Sequence, residues 1–246
     1  SMAADEIHAL PGWDGALPSK HYSGHVEVGI TQKRAEPSYM HYYLQLSEGD
    51  PATDPLTLWM NGGPGCTSIK GGFEELGQLV FNYKSLGPNA STLPLPKLVR
   101  NGYSWTKKSS LLMFESPPGV GFSYCAECVA PKADPACKCN ATDLTTAMDN
   151  YDAVAGVLAR FPQFQKTKFY ITGESCAYTI VSVAKHLHDA PYEFSLSLFL
   201  SLDYCLSPFS ALSLSAPFPS LSLSISISIS LSSLSLSLSL SLSLSL

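Results

Sequence analysis

The sequence predicts an α/β fold in which a central, mostly parallel sheet is preceded by an antiparallel N-terminal hairpin, and three patterns predict it. Residues 24–30 and 39–46 set apolar side chains at alternate positions, as half-buried antiparallel strands do. Residues 56–60 and 111–114 are short apolar runs that stop at Gly- or Pro-rich turns, the mark of buried central strands. Leu144, Met148, Tyr151, Val154, Leu158 and Phe161 recur at steps of three or four and so line one face of a helix, with Thr142 as N-cap and Pro162 as stop. Residues 168–172 then read as another strand and 177–188 as a helix. The succession strand, helix, strand, sharp turn, helix belongs to parallel α/β units, whose chemistry sits at the C-terminal edge of the sheet.

Composition divides the 246 residues into unequal parts. Residues 1–190 have the mixed composition of a folding domain and are numerous enough for one core. Residues 191–246 form a low-complexity tail: beyond Ser195 the only charge is Asp203, and from Ser220 onward every residue is Ser, Leu or Ile. Strict Ser/Leu alternation gives strands with one wholly apolar face, a pattern that self-associates as cross-β instead of folding onto a core. A translated CT dinucleotide repeat yields the same pattern, since UCU-CUC reads Ser-Leu without end. The expectation is that the domain ends near residue 190 and that the tail is repeat read-through, not native structure.

The 15 Lys and Arg against 20 Asp and Glu leave a formal net charge of −5, so neither nucleic acid nor an anionic membrane is an expected partner. The tail interrupts Leu with Ser at every second position, and no apolar run is long enough to span a bilayer. The opening Ser1-Met2-Ala3-Ala4-Asp5-Glu6 has neither a basic nor an apolar stretch, so no signal peptide is present in this chain. Seven cysteines nevertheless point to an oxidising compartment, four of them falling between Cys125 and Cys139. That segment lacks periodicity and reads as a loop. A zinc site there is conceivable, but the second spacing is atypical and disulfides are favoured, with pairing left open. Acceptor sequons at Asn89 and Asn140 agree with a secretory glycoprotein.

Two motifs carry the chemistry. Gly173-Glu174-Ser175-Cys176-Ala177, between an apolar strand and a helix, has the form of a nucleophile elbow: a sharp turn lifts the Ser hydroxyl clear of the sheet and points a helix N-terminus at developing negative charge. Asn61-Gly62-Gly63-Pro64-Gly65-Cys66 follows a strand and can bring backbone N–H groups close to a reacting carbonyl, as an oxyanion hole requires.

Three longer stretches, Trp59-Met60-Asn61-Gly62-Gly63-Pro64-Gly65-Cys66-Thr67-Ser68, Glu115-Ser116-Pro117-Pro118-Gly119-Val120-Gly121-Phe122-Ser123-Tyr124 and Phe169-Tyr170-Ile171-Thr172-Gly173-Glu174-Ser175, resemble successive signatures of the serine carboxypeptidase family. The opening around Leu10-Pro11-Gly12-Trp13 is similar to a mature plant-type member, and the likeness covers about residues 8–190. It implies an α/β-hydrolase-type fold, here incomplete. It also implies Ser175 as the acyl-accepting nucleophile, the N–H groups of Gly63 and Cys176 as oxyanion donors, and Trp59, Asn61, Glu75 and Glu174 as the binding site for a substrate's C-terminal carboxylate. Glutamates facing a carboxylate must share protons, which implies an acidic working pH and a vacuolar, lysosome-like or extracellular destination. No cofactor or metal is implied; the substrates are peptide or protein C-termini, and oligomeric state is unknown.

Departures from the family pattern also bear on function. Cys176 replaces the usual Tyr, and Tyr178 stands where a Gly is expected, which puts clearance at the elbow in question. The resemblance also implies that the partner of Cys66 lies beyond this chain. A serine nucleophile needs an Asp and then a His downstream, yet Asp189 and Asp203 both come after His186 and His188. This chain is therefore expected to be inactive by itself. The alternatives are an acyltransferase of the same family, whose members tend to carry Asp at the position of Glu174, or a non-catalytic product.

Overall fold

The computed structural model describes residues 2–63, 65–82, 85, 96–129, 134 and 136–174, together with the backbone of three strands in the tail. Strands β1 (Glu6–Ile7), β2 (His21–Val28), β3 (Ser38–Gln45), β4 (Leu56–Met60), β7 (Ser110–Phe114) and β9 (Phe169–Glu174) form the body of one sheet, and a short β8 (Tyr124–Cys125) pairs with β3. A separate ribbon joins β5 (Leu79–Val80) to β6 (Val99–Arg100). Helix α1 (Ser68–Gly71) runs directly into a π-type turn, Gly72–Leu76; α2 (Ala126–Val129) follows β8; and α3 (Asp143–Arg160) is the long helix.

The order β1-β2-β3-β7-β4-β9 continues through β10 (Leu196–Ser201), β11 (Leu221–Ser230) and β12 (Ser235–Leu244). Pairs β7–β4, β4–β9 and β9–β10 are parallel, and those outside them are antiparallel. The sheet is thus parallel at its centre, and the antiparallel N-terminal hairpin is β2–β3. Strands β10 to β12 fall in the segment that composition separates from the domain; in the β11–β12 register Ser faces Ser and Leu faces Leu or Ile.

Each face of the sheet has its own core. Tyr22, Val26, Met40, Leu44, Leu58, Phe114 and Ile171 pack on one side against Val154, Val157 and Leu158 of α3 and Phe161 at its C-cap. On the other side Tyr43, Trp59, Leu111 and Met113 pack with Ile69, Phe73 and Leu76. This two-sided cover explains why β4 and β7 are largely apolar on both faces.

Helix α3 begins at the expected N-cap: Thr142 and Thr145 close a reciprocal capping box, and a 3₁₀ turn starts at Pro162. The buried stripe differs from the expected one. Leu144 is 59% exposed, and Asp149 and Asp152 are buried in its place. Arg34 Nη2 donates to Asp149 and Thr31 to Asp152, so polar anchors on the loop after β2 set the rotation of the helix about its axis. The cysteine-rich segment, expected as a loop, contains β8 and α2, and its sulfurs form two nested disulfides, Cys125–Cys139 and Cys128–Cys137. Glu127, Cys128 and Cys137 cluster with metal-like spacing, but the second disulfide uses both thiols.

Candidate active site

The chain leaves β4 for β7 on one side and returns through α3 to β9 on the other, so the direction of travel across the sheet reverses at β4. A reversal of this kind opens a crevice at the carboxyl ends of the strands, where open α/β sheets bind ligands. The ends of β4 and β9 lie side by side, with Met60 opposite Gly173. That register brings together two residues 113 apart in sequence: Asn61 Nδ2 donates to Glu174 Oε1 at 2.8 Å.

Trp59 orients the amide. Its side chain is buried, and its Nε1 donates to Asn61 Oδ1 at 2.8 Å, leaving the Asn61 NH₂ to face the carboxylate. The Asn61 backbone N–H donates to Ser68 Oγ at 3.2 Å, which ties the end of β4 to the start of α1. Glu75 stands on the π-type turn, exposed to solvent yet close enough for Glu174 to act on it. Its carboxyl is raised above the ordinary range, first by partial burial and then by the negative charge of Glu174. A raised carboxyl keeps its proton to higher pH than a free one and, while protonated, can donate a hydrogen bond to an anion.

Gly63 lies in the loop after β4 with φ +123°, and a Cβ there would come within 2.9 Å of the Cys66 backbone nitrogen. Only glycine fits this turn without strain. Cys66 donates its N–H to Gly62 O at 3.2 Å and carries a free, exposed thiol. Ser175 and Cys176, the expected nucleophile and second oxyanion donor, lie outside the described residues, as do Asn89, Tyr178, His186, His188, Asp189 and Asp203. Asn140 is exposed just before the α3 cap, within reach of a modifying enzyme.

Of the expected site residues, Trp59, Asn61 and Glu174 form one hydrogen-bonded chain, and Glu75 is coupled to its end by charge. Sequence reasoning assigned no part to Ser68, Thr67 or Glu115. Glu115 stood inside a recognised stretch, but its partners Thr67 and His41 are far from it in sequence. The available hint was a carboxylate directly after the fully apolar run of β7, where an unpaired charge would be costly.

A sheet that is parallel at its centre, with a polar constellation at the switch point where β4 and β9 end, is the arrangement of the α/β-hydrolase class. Within that class, a profile of the serine carboxypeptidase family matches residues 11–196. The chain belongs to the serine carboxypeptidase family. Serine carboxypeptidase 1 of Hordeum vulgare is 41% identical over 181 residues, covering 74% of this chain and 33% of that protein. Serine carboxypeptidase-like 20 of Arabidopsis thaliana is 40% identical over 171 residues, covering 70% and 31%. The chain thus spans about a third of the length of these curated relatives. The crystal structure of Kex1(delta)p, a prohormone-processing carboxypeptidase from Saccharomyces cerevisiae, matches with a TM-score of 0.63 at 22% identity, over 81% of this chain and 43% of that one, a likeness of fold.

Proposed function

We propose that this chain carries the substrate-recognition part of a serine-type carboxypeptidase, which removes C-terminal residues from peptides through an acyl-enzyme on Ser175. The observation that carries this reading is the hydrogen-bonded Trp59–Asn61–Glu174 chain at the ends of β4 and β9, with Glu75, its carboxyl raised by partial burial and by Glu174, beside it. Such a site suits a terminal carboxylate: the Asn61 amide donates, and a neutral acid donates again where an ionised one would repel. The N–H groups of Gly63 and Cys176 would hold the oxyanion as Ser175 attacks. Two disulfides support an oxidising route, and the raised Glu75 carboxyl agrees with an acidic vacuolar, lysosome-like or extracellular setting. We place the domain boundary near residue 190, with residues 191–246 as a low-complexity tail; the end of the family match at residue 196 supports it.

Catalysis is a separate matter from recognition. Within these 246 residues no His follows Asp189 or Asp203, so the usual order of acid and base is not met, and we propose that the chain by itself turns over peptides poorly or not at all. The test uses the 246-residue chain at pH 5 with an N-blocked dipeptide bearing a free C-terminus, and the same peptide amidated. Calorimetry is expected to detect the free acid and not the amide, and Asn61→Leu to abolish the difference. Equal binding of both peptides would sink the recognition reading, and rapid hydrolysis by this chain would sink the reading of its catalysis. Glu at position 174, where acyltransferase relatives tend to carry Asp, favours the peptidase reading over the acyltransferase one.

A further inference from the structure

Glu115 is buried, 3% exposed, at the end of β7. Its carboxylate collects three contacts: Thr67 Oγ1 donates at 2.6 Å, the Phe122 backbone N–H donates at 2.7 Å, and His41 Nδ1 lies 2.9 Å away. The His41 contact is close but poorly aligned for a hydrogen bond. His41 Nε2 in turn lies 2.7 Å from Ser23 Oγ on β2. The order Ser23, His41, Glu115 resembles a catalytic relay, but Ser23 sits within a strand and its N–H is already donated to Asp5 O, so it does not present an oxyanion donor.

Resting on the reading of Gly63 as an oxyanion donor, we propose that Glu115 is a positioning residue that fixes the loop carrying Gly63, acting through Thr67. The Thr67 hydroxyl has one proton. Giving it to Glu115 fixes the rotor and turns a lone pair toward the Ile69 N–H, which donates to Thr67 Oγ1 at 3.3 Å as the N-cap bond of α1. The α1 start holds Ser68, whose Oγ accepts from the Asn61 N–H, while Cys66 N–H closes on Gly62 O. The loop from Asn61 to Thr67 is therefore pinned at both ends, and the far pin depends on a carboxylate from another strand. Space is reserved for that carboxylate: Gly121, at φ +53°, would place a Cβ 1.9 Å from Glu115 Oε1.

The test is a double-mutant cycle on the 246-residue chain, read by hydrogen exchange over residues 61–69 with residues 143–160 of α3 as reference. Thr67→Val and Glu115→Gln should each speed exchange in the loop by about tenfold, the scale of one charge-assisted hydrogen bond. Thr67→Ser should restore the native rate, α3 should be unchanged, and the double variant should be no faster than the faster single. Unchanged loop exchange, multiplying effects in the double variant, or an equal acceleration in α3 would each overturn the proposal. If Glu115→Gln does not fold, the contrast of Thr67→Val with Thr67→Ser decides. The readout needs no activity, so its failure is distinct from failure of the peptide-binding test.

Discussion

The two disulfides are nested, and nesting makes their removal non-additive. Cys125–Cys139 spans 14 residues and Cys128–Cys137 spans 9. In a chain-entropy account, closing the inner ring alone stabilises by about 2.6 kcal/mol and the outer alone by about 3 kcal/mol. With the inner bond formed, the outer one closes a ring of only about five residue steps and adds about 2 kcal/mol. Replacing Cys125 and Cys139 by Ser should therefore cost about 2 kcal/mol, replacing Cys128 and Cys137 slightly less, and replacing all four nearly 5 kcal/mol, about 1 kcal/mol more than the two pairs summed. Urea unfolding of the oxidised proteins at neutral pH measures each value. A four-serine variant that loses no more than the sum of the pairs would refute the argument. A loss under about 0.5 kcal/mol for all four would show that residues 125–139 come apart before the rest of the fold.

The acidic residues give two pH predictions of opposite sign. Burial acts to raise the Glu115 carboxyl, but the neighbouring His41 ring and the donors Thr67 Oγ1 and Phe122 N–H outweigh it and hold the group below its ordinary 4.5. Its stabilisation is present above that ordinary value and is lost as pH falls through the folded one, so Glu115→Gln should flatten the acid limb of a stability profile; an unaltered limb would contradict the assignment. Glu75 is raised, so it opposes stability as pH rises through its folded value, and Glu75→Gln should remove that decline. In a chain extended to carry the downstream acid and base, Glu75→Gln and Glu174→Gln should shift the pH optimum of peptide hydrolysis upward, and an unchanged profile would rule out their role in holding the substrate carboxylate. Phe161, fully buried at the end of α3 with its ring 5.0 Å from Tyr22, should cost about 3–5 kcal/mol on truncation to Ala, measured by the same urea melts; a loss below about 1 kcal/mol would mean that α3 does not anchor the sheet.

Sequence alone determined the local elements, because each rests on a pattern that the backbone period imposes. The alternation in residues 39–46 became β3, the apolar run at 56–60 became β4, and the step-three-and-four spacing between Thr142 and Pro162 became α3. The residues proposed to bind a substrate carboxylate were legible only through a resemblance carried by long motifs. Tertiary structure decided how they meet. The Asn61–Glu174 bond exists because β4 and β9 pair in the register that sets Met60 opposite Gly173, and nothing local to either strand encodes that register. The rotation of α3, which leaves Leu144 in solvent, was decided by Arg34 and Thr31 reaching Asp149 and Asp152 from a loop more than a hundred residues earlier. Cysteine count indicated disulfides but not their pairing, which follows from where β8 and the approach to α3 bring the sulfurs. Glu115 shows the limit most plainly: a sequence reports that a charge is present, but only the fold reports that Thr67, His41 and the Phe122 amide converge on it.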